Sequence, residues 1–249
     1  MKALITGASS GIGRDIARVL SNMGYDIIAV ARDEVKLNEL KDGLKTEVEI
    51  IAVDLSNPET CKELYKTLQY KEIDILVNNA GFGEFGEFGE TNLDKELNMI
   101  NTNITAVHIL TKLFLQDMIK KDKGYILNVA SIAGFMPGPL MATYYSTKSY
   151  IVRLSQSIYT ELKKKKSNVH ISVLCPGPVA TNFNKVAGVK FNLKSMSSQY
   201  VAKYSVYKMF KKKLIILPGI KIKIVRILAK ISPEKLVARI CYHMQEKKK

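Results

Sequence analysis

The chain has 249 residues, of which 47% are hydrophobic, and this length and composition predict one large α/β domain over residues 1–249. Its formal net charge of +15 is uneven, because residues 163–249 carry a net +19 and residues 1–162 a net −4. Aromatic residues do not alternate with these lysines as a stacking platform for nucleic acid requires, so nucleic acid is excluded as a partner. The basic region could still contact an anionic membrane, an acidic carrier or only solvent, and these three alternatives remain open.

A glycine-rich turn follows the first predicted strand. The strand Lys2–Thr6 leads into this turn and then into a helix predicted over Arg14–Met23. The first turn of a helix has unpaired N–H groups and partial positive charge, so it can hold a pyrophosphate, and glycine lets the backbone approach the anion. The residues expected to contact phosphate here are Gly7, Ser9, Ser10, Gly11, Ile12 and Gly13.

Short apolar runs alternate with helical patterns through the following chain. Several runs are apolar at consecutive positions, which indicates strands covered on both faces of a parallel sheet. The sequence predicts further strands over 26–31, 48–54, 73–78, 124–131, 169–175 and 213–217, and helices over 35–44, 58–68, 93–120 and 143–165. This order predicts a Rossmann-type, doubly wound α/β fold whose seven-stranded, mostly parallel sheet has helices on both faces.

Ligands of such sheets bind beyond the carboxyl ends of the strands, so the residues that follow the strands are candidates for binding. Arg32 follows the second strand, where an acidic residue would bind the ribose 2′-hydroxyl of NAD. Arginine instead offers a fork to a 2′-phosphate, which predicts NADP as the cofactor. Asp33 is the next residue and keeps NAD open as the alternative. The glycine-rich segment 83–90 is predicted to be a loop over this edge.

Tyr144 and Lys148 are four residues apart on a predicted helix, so their side chains leave the same face. A nearby ammonium is expected to lower the pKa of the phenol, which would let Tyr144 exchange a proton with a carbonyl or alcohol oxygen. Ser131, at the end of the fifth strand, offers a hydroxyl to orient that oxygen. Asn103 is expected to hold a water that links Lys148 to solvent. Tyr145 and Asn101 are the neighbouring alternatives, and their positions are less favourable.

Seven separated motifs occur in order over residues 1–181: Thr6-Gly-Ala-Ser-Ser-Gly-Ile-Gly13, Asp54-Leu55, Asn78-Asn-Ala-Gly81, Asn103, Ser131, Tyr144-x-x-x-Lys148 and Pro176-Gly-x-Val-x-Thr181. Together they resemble the short-chain dehydrogenase/reductase family. The resemblance implies that Tyr144 is the catalytic acid/base and that Lys148 also binds the nicotinamide ribose. Ser131 would position the substrate, and Asn103 would complete a proton relay. The further cofactor contacts that it implies are Asp54, Leu55, Asn79, Ala80, Gly81, Pro176, Gly177, Val179 and Thr181. The family commonly pairs through its long helices, which implies a homo-oligomer, either a dimer or a tetramer.

Residues 182–249 form the expected substrate cap and basic tail, after a cofactor-binding and catalytic core over 1–181. This region offers apolar side chains for a lipophilic cavity: Phe183, Val186, Phe191, Leu193, Met196, Tyr200, Tyr204 and Tyr207. The segments 220–231 and 233–244 are predicted as basic amphipathic helices that either cover the substrate pocket or lie on a lipid surface.

These observations predict an NADP-dependent oxidoreductase that interconverts a ketone and a secondary alcohol on a hydrophobic, acyl or steroid-like small molecule. The alternative is an NADP-binding redox sensor, or a module that associates with a membrane or partner through its basic region. Cys61, Cys175 and Cys241 form no Cys-x-x-Cys pair, and no secretory leader opens the sequence. These features predict a cytoplasmic location, with peripheral membrane contact left open, and no metal.

Overall fold

A computed structural model of the chain describes residues 1–188 and 195–247. Its strands are β1 (Lys2–Thr6), β2 (Asp26–Ala31), β3 (Val48–Ala52), β4 (Ile73–Asn78), β5 (Tyr125–Val129), β6 (His170–Leu174), β7 (Val179–Ala180), β8 (Met196–Ser197) and β9 (Ile215–Ile216). Its helices are α1 (Gly11–Asn22), α2 (Glu34–Asp42), α3 (Pro58–Leu68), α4 (Leu93–Ile100), α5 (Ala106–Lys120), α6 (Ala142–Lys164), α7 (Phe183–Ala187), α8 (Ser198–Phe210), α9 (Ile220–Ile231) and α10 (Glu234–Glu246).

Seven strands form one sheet in the order β3-β2-β1-β4-β5-β6-β9, and every neighbouring pair is parallel. The order reverses between β1 and β4, which creates the crevice where ligands of doubly wound sheets bind. Strands β7 and β8 form a separate parallel pair beyond the end of β6. The predicted fold class is therefore confirmed.

The central strands of the sheet, from β2 to β6 in the sheet order, bury both of their faces. In β1, Ala3 and Ile5 point into the cluster that includes α1 and α8, whereas Leu4 points into the cluster with α3 and α5. Successive side chains of a strand alternate between the two faces of a sheet, so a run of apolar residues is required where helices cover both faces. This explains why the strands are apolar at consecutive positions.

The single long helix predicted over residues 93–120 is divided in the structure. Helix α4 leads into one π-helical turn, Asn101–Thr105, which continues into α5. A π turn inserts one extra residue without breaking the helical pattern, so the apolar period did not show it. The extra residue matters for the site because Asn103 lies in this turn.

The two helices predicted near the C-terminus are present as α9 and α10. Helix α10 buries Val237, Cys241 and Gln245, whereas none of the residues of α9 is buried. Among the described residues, no helix has both the length and the apolar character needed to cross a lipid bilayer.

Candidate active site

The turn between β1 and α1 has the backbone of an anion cradle. Gly7 and Gly11 have φ angles of +65° and +55°, values that favour glycine. A Cβ on Gly13 would overlap the Asn79 side-chain nitrogen and the Gly7 carbonyl oxygen. Ser10 is the N-cap of α1, but its side chain makes no capping hydrogen bond, so it leaves the N–H groups of the first turn to a ligand. The turn therefore fits a pyrophosphate. The other predicted contacts here, Ser9 and Ile12, are half-buried.

Two polar side chains hold this turn against β4. The Thr6 hydroxyl oxygen accepts hydrogen bonds from the backbone N–H groups of Asn79 and Ala80, both at 3.0 Å. The Asn79 amide donates to the carbonyl oxygens of Thr6 and Gly7 at 3.0 and 3.1 Å. Asn79 is one of the expected cofactor contacts, and its amide also fixes the glycine turn. The role of Thr6 was not predicted; the only signal was a threonine at the end of the first strand.

Asn103 is fully buried in the π turn. Its amide nitrogen donates to the Phe82 carbonyl at 2.9 Å and to the Thr147 hydroxyl at 3.1 Å, and its oxygen accepts from the Phe82 N–H at 3.1 Å. A Cβ on Gly81 would lie 2.7 Å from that oxygen. The side chain therefore ties the segment after β4 to helix α6. Asn101, the alternative, accepts a hydrogen bond from Thr105 within the same turn.

The predicted catalytic side chains meet beside the carboxyl ends of β5 and β4. Ser131 follows β5, and its hydroxyl is hydrogen-bonded to that of Tyr144 and also accepts the Ala133 N–H at 3.2 Å. The Lys148 ammonium lies 5.8 Å from the centre of the Tyr144 ring and donates to the Val129 carbonyl at 3.0 Å. Tyr144 and Lys148 are both buried. The i, i+4 spacing on α6 thus brings these two side chains together with Ser131.

The protonation of this pair differs from the expectation. Burial raises the pKa of Tyr144 to about 12, and the hydrogen bond from Ser131 only partly opposes this. Burial also lowers the pKa of Lys148 to about 8. The expected lowering of the phenol pKa by the ammonium is therefore wrong for this arrangement, because both groups are desolvated and Lys148 is hydrogen-bonded to a carbonyl. At neutral pH Tyr144 is a protonated donor.

Arg32 follows β2 at the edge of the sheet that carries the glycine turn. Its side chain is 69% exposed, and its guanidinium lies 3.9 Å from a carboxylate oxygen of Asp54. Asp33 is occupied elsewhere: it caps α2 by accepting the Lys36 N–H at 3.1 Å and pairs with the Lys36 ammonium, which lowers the pKa of Asp33. Asp54 also accepts the Ser56 N–H, and Leu55 is buried. Arg32 pairs only loosely with Asp54, so most of its guanidinium is exposed to an anion.

The segment after β6 closes the other side of the crevice. The Pro176 carbonyl accepts the Ile132 N–H at 2.9 Å, and Gly177 packs under Ile222 of α9. Val179 is buried in β7. A Cβ on Gly11 would lie 2.9 Å from the Thr181 methyl group, so the end of this segment lies against the glycine turn.

Apolar side chains surround the Tyr144 ring. A Cβ on Gly83 would lie 2.7 Å from the Phe183 ring and 3.2 Å from both the Met141 methyl group and the Tyr144 ring. The centres of the Phe183 and Tyr144 rings are 5.2 Å apart. The loop over residues 83–90 therefore lies beside the site, as predicted, but Gly83 and Met141 were not named as neighbours of Tyr144.

Several residues expected in the lipophilic cavity do not contribute to it. Tyr200, Tyr207 and Val186 are 46%, 57% and 50% exposed, because they occupy outward positions of α8 and α7. Tyr204 packs against the sheet core beside α1. Met196 lies near Gly177 and Gly219. Phe191 and Leu193 lie outside the described residues. Over residues 1–188 and 195–247, no three His, Cys, Asp or Glu side chains cluster to form a metal site.

A family model described as short chain dehydrogenase matches residues 1–190. An uncharacterized oxidoreductase of Staphylococcus epidermidis is 33% identical over 208 residues, which cover 82% of this chain and 89% of the relative. A very-long-chain 3-oxoacyl-CoA reductase of Danio rerio is 37% identical over 192 residues, 74% of this chain but only 60% of the relative.

Among solved structures, a short-chain dehydrogenase from Sphingobium yanoikuyae in complex with NADPH superimposes with a TM-score of 0.82. It is 29% identical, and the alignment covers 88% of both chains. Similarity thus extends past the end of the family-model match, over most of the fold.

Proposed function

The chain belongs to the short chain dehydrogenase family, and on that premise we propose that it reduces a ketone to a secondary alcohol, and catalyses the reverse oxidation, with NADP as cofactor. The observation that carries the proposal is that Ser131 meets the buried side chains of Tyr144 and Lys148 at the crevice that the glycine turn borders. We further propose one domain over 1–249, with a core over 1–181 and a cap over 182–249.

A bound nicotinamide cofactor supplies or accepts the hydride. In the reductive direction Tyr144 donates its phenolic proton to the carbonyl oxygen, and in the oxidative direction it takes the proton from the alcohol. The raised pKa keeps that proton on Tyr144 at neutral pH, which suits the reductive role. Ser131 orients the oxygen through the hydroxyl that already meets Tyr144. The Lys148 ammonium lies close enough to stabilise the phenolate that forms when the proton leaves.

NADP is favoured over NAD by the charge at the edge of the sheet. Arg32 is exposed there and lies 3.9 Å from Asp54, which is a loose ion pair. Asp33 instead caps the N-terminus of α2 and pairs with the Lys36 ammonium. A guanidinium binds a 2′-phosphate through paired hydrogen bonds, and NAD has no phosphate at this position. The NADPH bound by the Sphingobium relative is in keeping with this choice. Asp54, Ala80, Gly81 and Thr181 would complete the pocket.

The substrate is proposed to be a hydrophobic carbonyl compound. Phe183 and Met141 adjoin Tyr144, and Phe82 and Phe85 pack against the same cluster. Burial of apolar surface against such walls favours an apolar substituent on the ketone. The named activity of the Danio rerio relative makes an acyl chain one candidate, and a steroid-like ring system is another.

We also propose that the chain forms a homo-oligomer through α5 and α6, and that it works in the cytoplasm. All three cysteines are buried, and Cys61 and Cys175 are free thiols, which suits a reducing compartment. The second candidate function, a cofactor-binding module that acts through its basic region, is favoured by one observation, the exposed apolar and basic surface of α9.

The test is the substitution Tyr144→Phe, assayed with NADPH and a panel of ketones graded by chain length. Loss of the proton donor is expected to lower kcat by roughly 10²–10⁴-fold. NADPH affinity, followed by fluorescence titration, is expected to change little, because the phenol hydroxyl acts mainly on the substrate oxygen. The matched control is Tyr145→Phe, whose hydroxyl is bonded to Gln245 instead. Wild-type binding of NADPH without turnover of any ketone would favour the binding module.

A further inference from the structure

Helix α9 turns its apolar side chains away from the rest of the protein. Five of them are between 51% and 74% exposed: Ile220, Ile224, Ile227, Leu228 and Ile231. Their spacing of three and four residues places them in one stripe along the helix. A helix on the surface of a globular protein normally directs such a stripe inward, so this orientation calls for a contact outside the chain.

The outward direction is fixed by contacts on the opposite side of α9. The Ile222 side chain packs against Gly177, and the Arg226 guanidinium lies 5.0 Å from the centre of the Phe135 ring. Ile222 also joins the apolar cluster around β6. These two residues lie across the helix from Ile220, Ile224 and Ile231, so the stripe cannot turn inward without losing them.

Cations flank the stripe on both sides. Lys221 lies on one border of it and Lys223 and Lys230 lie on the other, and α9 contains no acidic residue. Helix α10 repeats the combination, because Leu236, Ile240 and Met244 are about half exposed beside the basic residues Lys235 and Arg239. An apolar stripe bordered by cations is the pattern of a helix that lies in the interface of an anionic bilayer.

We propose that α9 and α10 hold this protein on the surface of an anionic lipid bilayer. The stripe would enter the boundary between headgroups and acyl chains, and the lysines would meet lipid phosphates. An acidic carrier protein would satisfy the cations but leave the isoleucines in water, and a second copy of the chain would bring like charges together. The lipid surface is the occupant that matches both features, and this inference does not depend on the proposed reaction.

Gly177 and the turn Ile132–Phe135, on which α9 rests, adjoin the end of β6 and Ser131. Docking through α9 would therefore bring the rim of the candidate active site next to the bilayer. A lipophilic substrate dissolved in the membrane would then have a short path to Tyr144.

The chain contains no tryptophan, so a single introduced tryptophan reports on the stripe alone. Ile227→Trp keeps an apolar side chain and is expected to shift its fluorescence to the blue on addition of phosphatidylcholine vesicles that contain phosphatidylglycerol. Vesicles of phosphatidylcholine alone are expected to give a much smaller shift. Val35→Trp is the matched control, because Val35 is 69% exposed on α2, and it is expected to show no shift.

A second measurement uses co-sedimentation with the same vesicles. The double variant Ile224→Asp, Ile227→Asp is expected to bind at least about tenfold more weakly than the wild type, whereas Val35→Asp binds equally well. Far-ultraviolet circular dichroism spectra and urea unfolding midpoints are expected to be nearly the same in all three proteins, which shows that the variants are folded.

Three results would overturn the proposal. One is the absence of wild-type binding to the anionic vesicles at low salt. Another is binding that salt abolishes but the aspartate substitutions do not affect, which indicates a purely electrostatic partner such as an acidic carrier. The last is a wild-type dimer, seen by sedimentation velocity, that the double variant converts to a monomer; the stripe would then be a subunit interface.

Discussion

The proposed preference for NADP depends on two consecutive residues after β2, Arg32 and Asp33, whose side chains make different contacts. Arg32 is exposed near Asp54, and Asp33 is committed to the N-terminus of α2. Sequence alone could place both residues at the end of a strand, because the apolar run stops there. It could not show which of the two is free, since that depends on the cap and ion pair with Lys36.

Arg32→Ala is expected to lower the ratio of kcat/KM for NADPH to that for NADH by roughly 10- to 100-fold. The physical reason is the loss of charge-assisted hydrogen bonds to the 2′-phosphate, which contribute about 1.5–3 kcal/mol, while NADH lacks this group. Steady-state rates with both cofactors measure the ratio, and Arg153→Ala, an exposed arginine of α6, serves as the control. If the variant keeps the wild-type preference for NADPH, Arg32 does not bind the 2′-phosphate of the cofactor.

The pair of Tyr144 and Lys148 shows the same limit of inference from sequence. The spacing of Tyr144 and Lys148 correctly places both on one face of α6, where the ammonium lies over the ring. The direction of the Tyr144 pKa shift was wrong, because it follows from burial, and Gly83 and Phe183, which contribute to that burial, are far away in sequence. Local spacing predicts which side chains meet, but their protonation depends on how completely water is excluded.

At the scale of elements, the β1–α1 turn is held by contacts that cross to β4. Gly13 lies close to both the Gly7 carbonyl and the Asn79 amide. The Thr6 hydroxyl accepts hydrogen bonds from the two backbone N–H groups that follow β4. The glycine spacing predicted the turn, because Gly7 and Gly11 have positive φ angles that favour glycine. The Thr6 and Asn79 hydrogen bonds were not predictable, because they depend on β1 and β4 being neighbours in the sheet.

Gly13→Ala is expected to weaken NADPH binding by at least about tenfold and to lower the free energy of unfolding by roughly 1–3 kcal/mol. The added methyl group overlaps backbone and amide atoms that have no room to move, so the turn must open. NADPH titration and urea unfolding measure the two effects. Gly89→Ala is the matched control, because a Cβ at Gly89 meets nothing within 4 Å. Equal behaviour of the two variants would show that the tight contact at Gly13 has no effect.

At the scale of the whole molecule, helix α10 near the C-terminus contacts helix α6, which carries Tyr144. Gln245 of α10 is buried and donates a hydrogen bond to the hydroxyl of Tyr145, the neighbour of Tyr144. Val237 and Cys241 bury the same face of α10. The amphipathic pattern predicted this helix, but its contact with a residue 100 positions earlier was not readable from the sequence. The same pattern left open which way the apolar face of α9 points.

Gln245→Ala is expected to lower the free energy of unfolding by roughly 1–3 kcal/mol, because the part-buried Tyr145 hydroxyl loses the hydrogen bond that the Gln245 amide donates to it. The substrate KM is expected to rise while kcat stays close to that of the wild type, since α10 supports the wall of the site and leaves Ser131 and Tyr144 untouched. Urea unfolding and steady-state kinetics measure both effects. The control is Glu246→Ala, the next residue, whose exposed carboxylate pairs only loosely with His243 at 3.7 Å, so little change is expected. If Gln245→Ala and Glu246→Ala behave alike, α10 does not support the active site and the tail acts elsewhere.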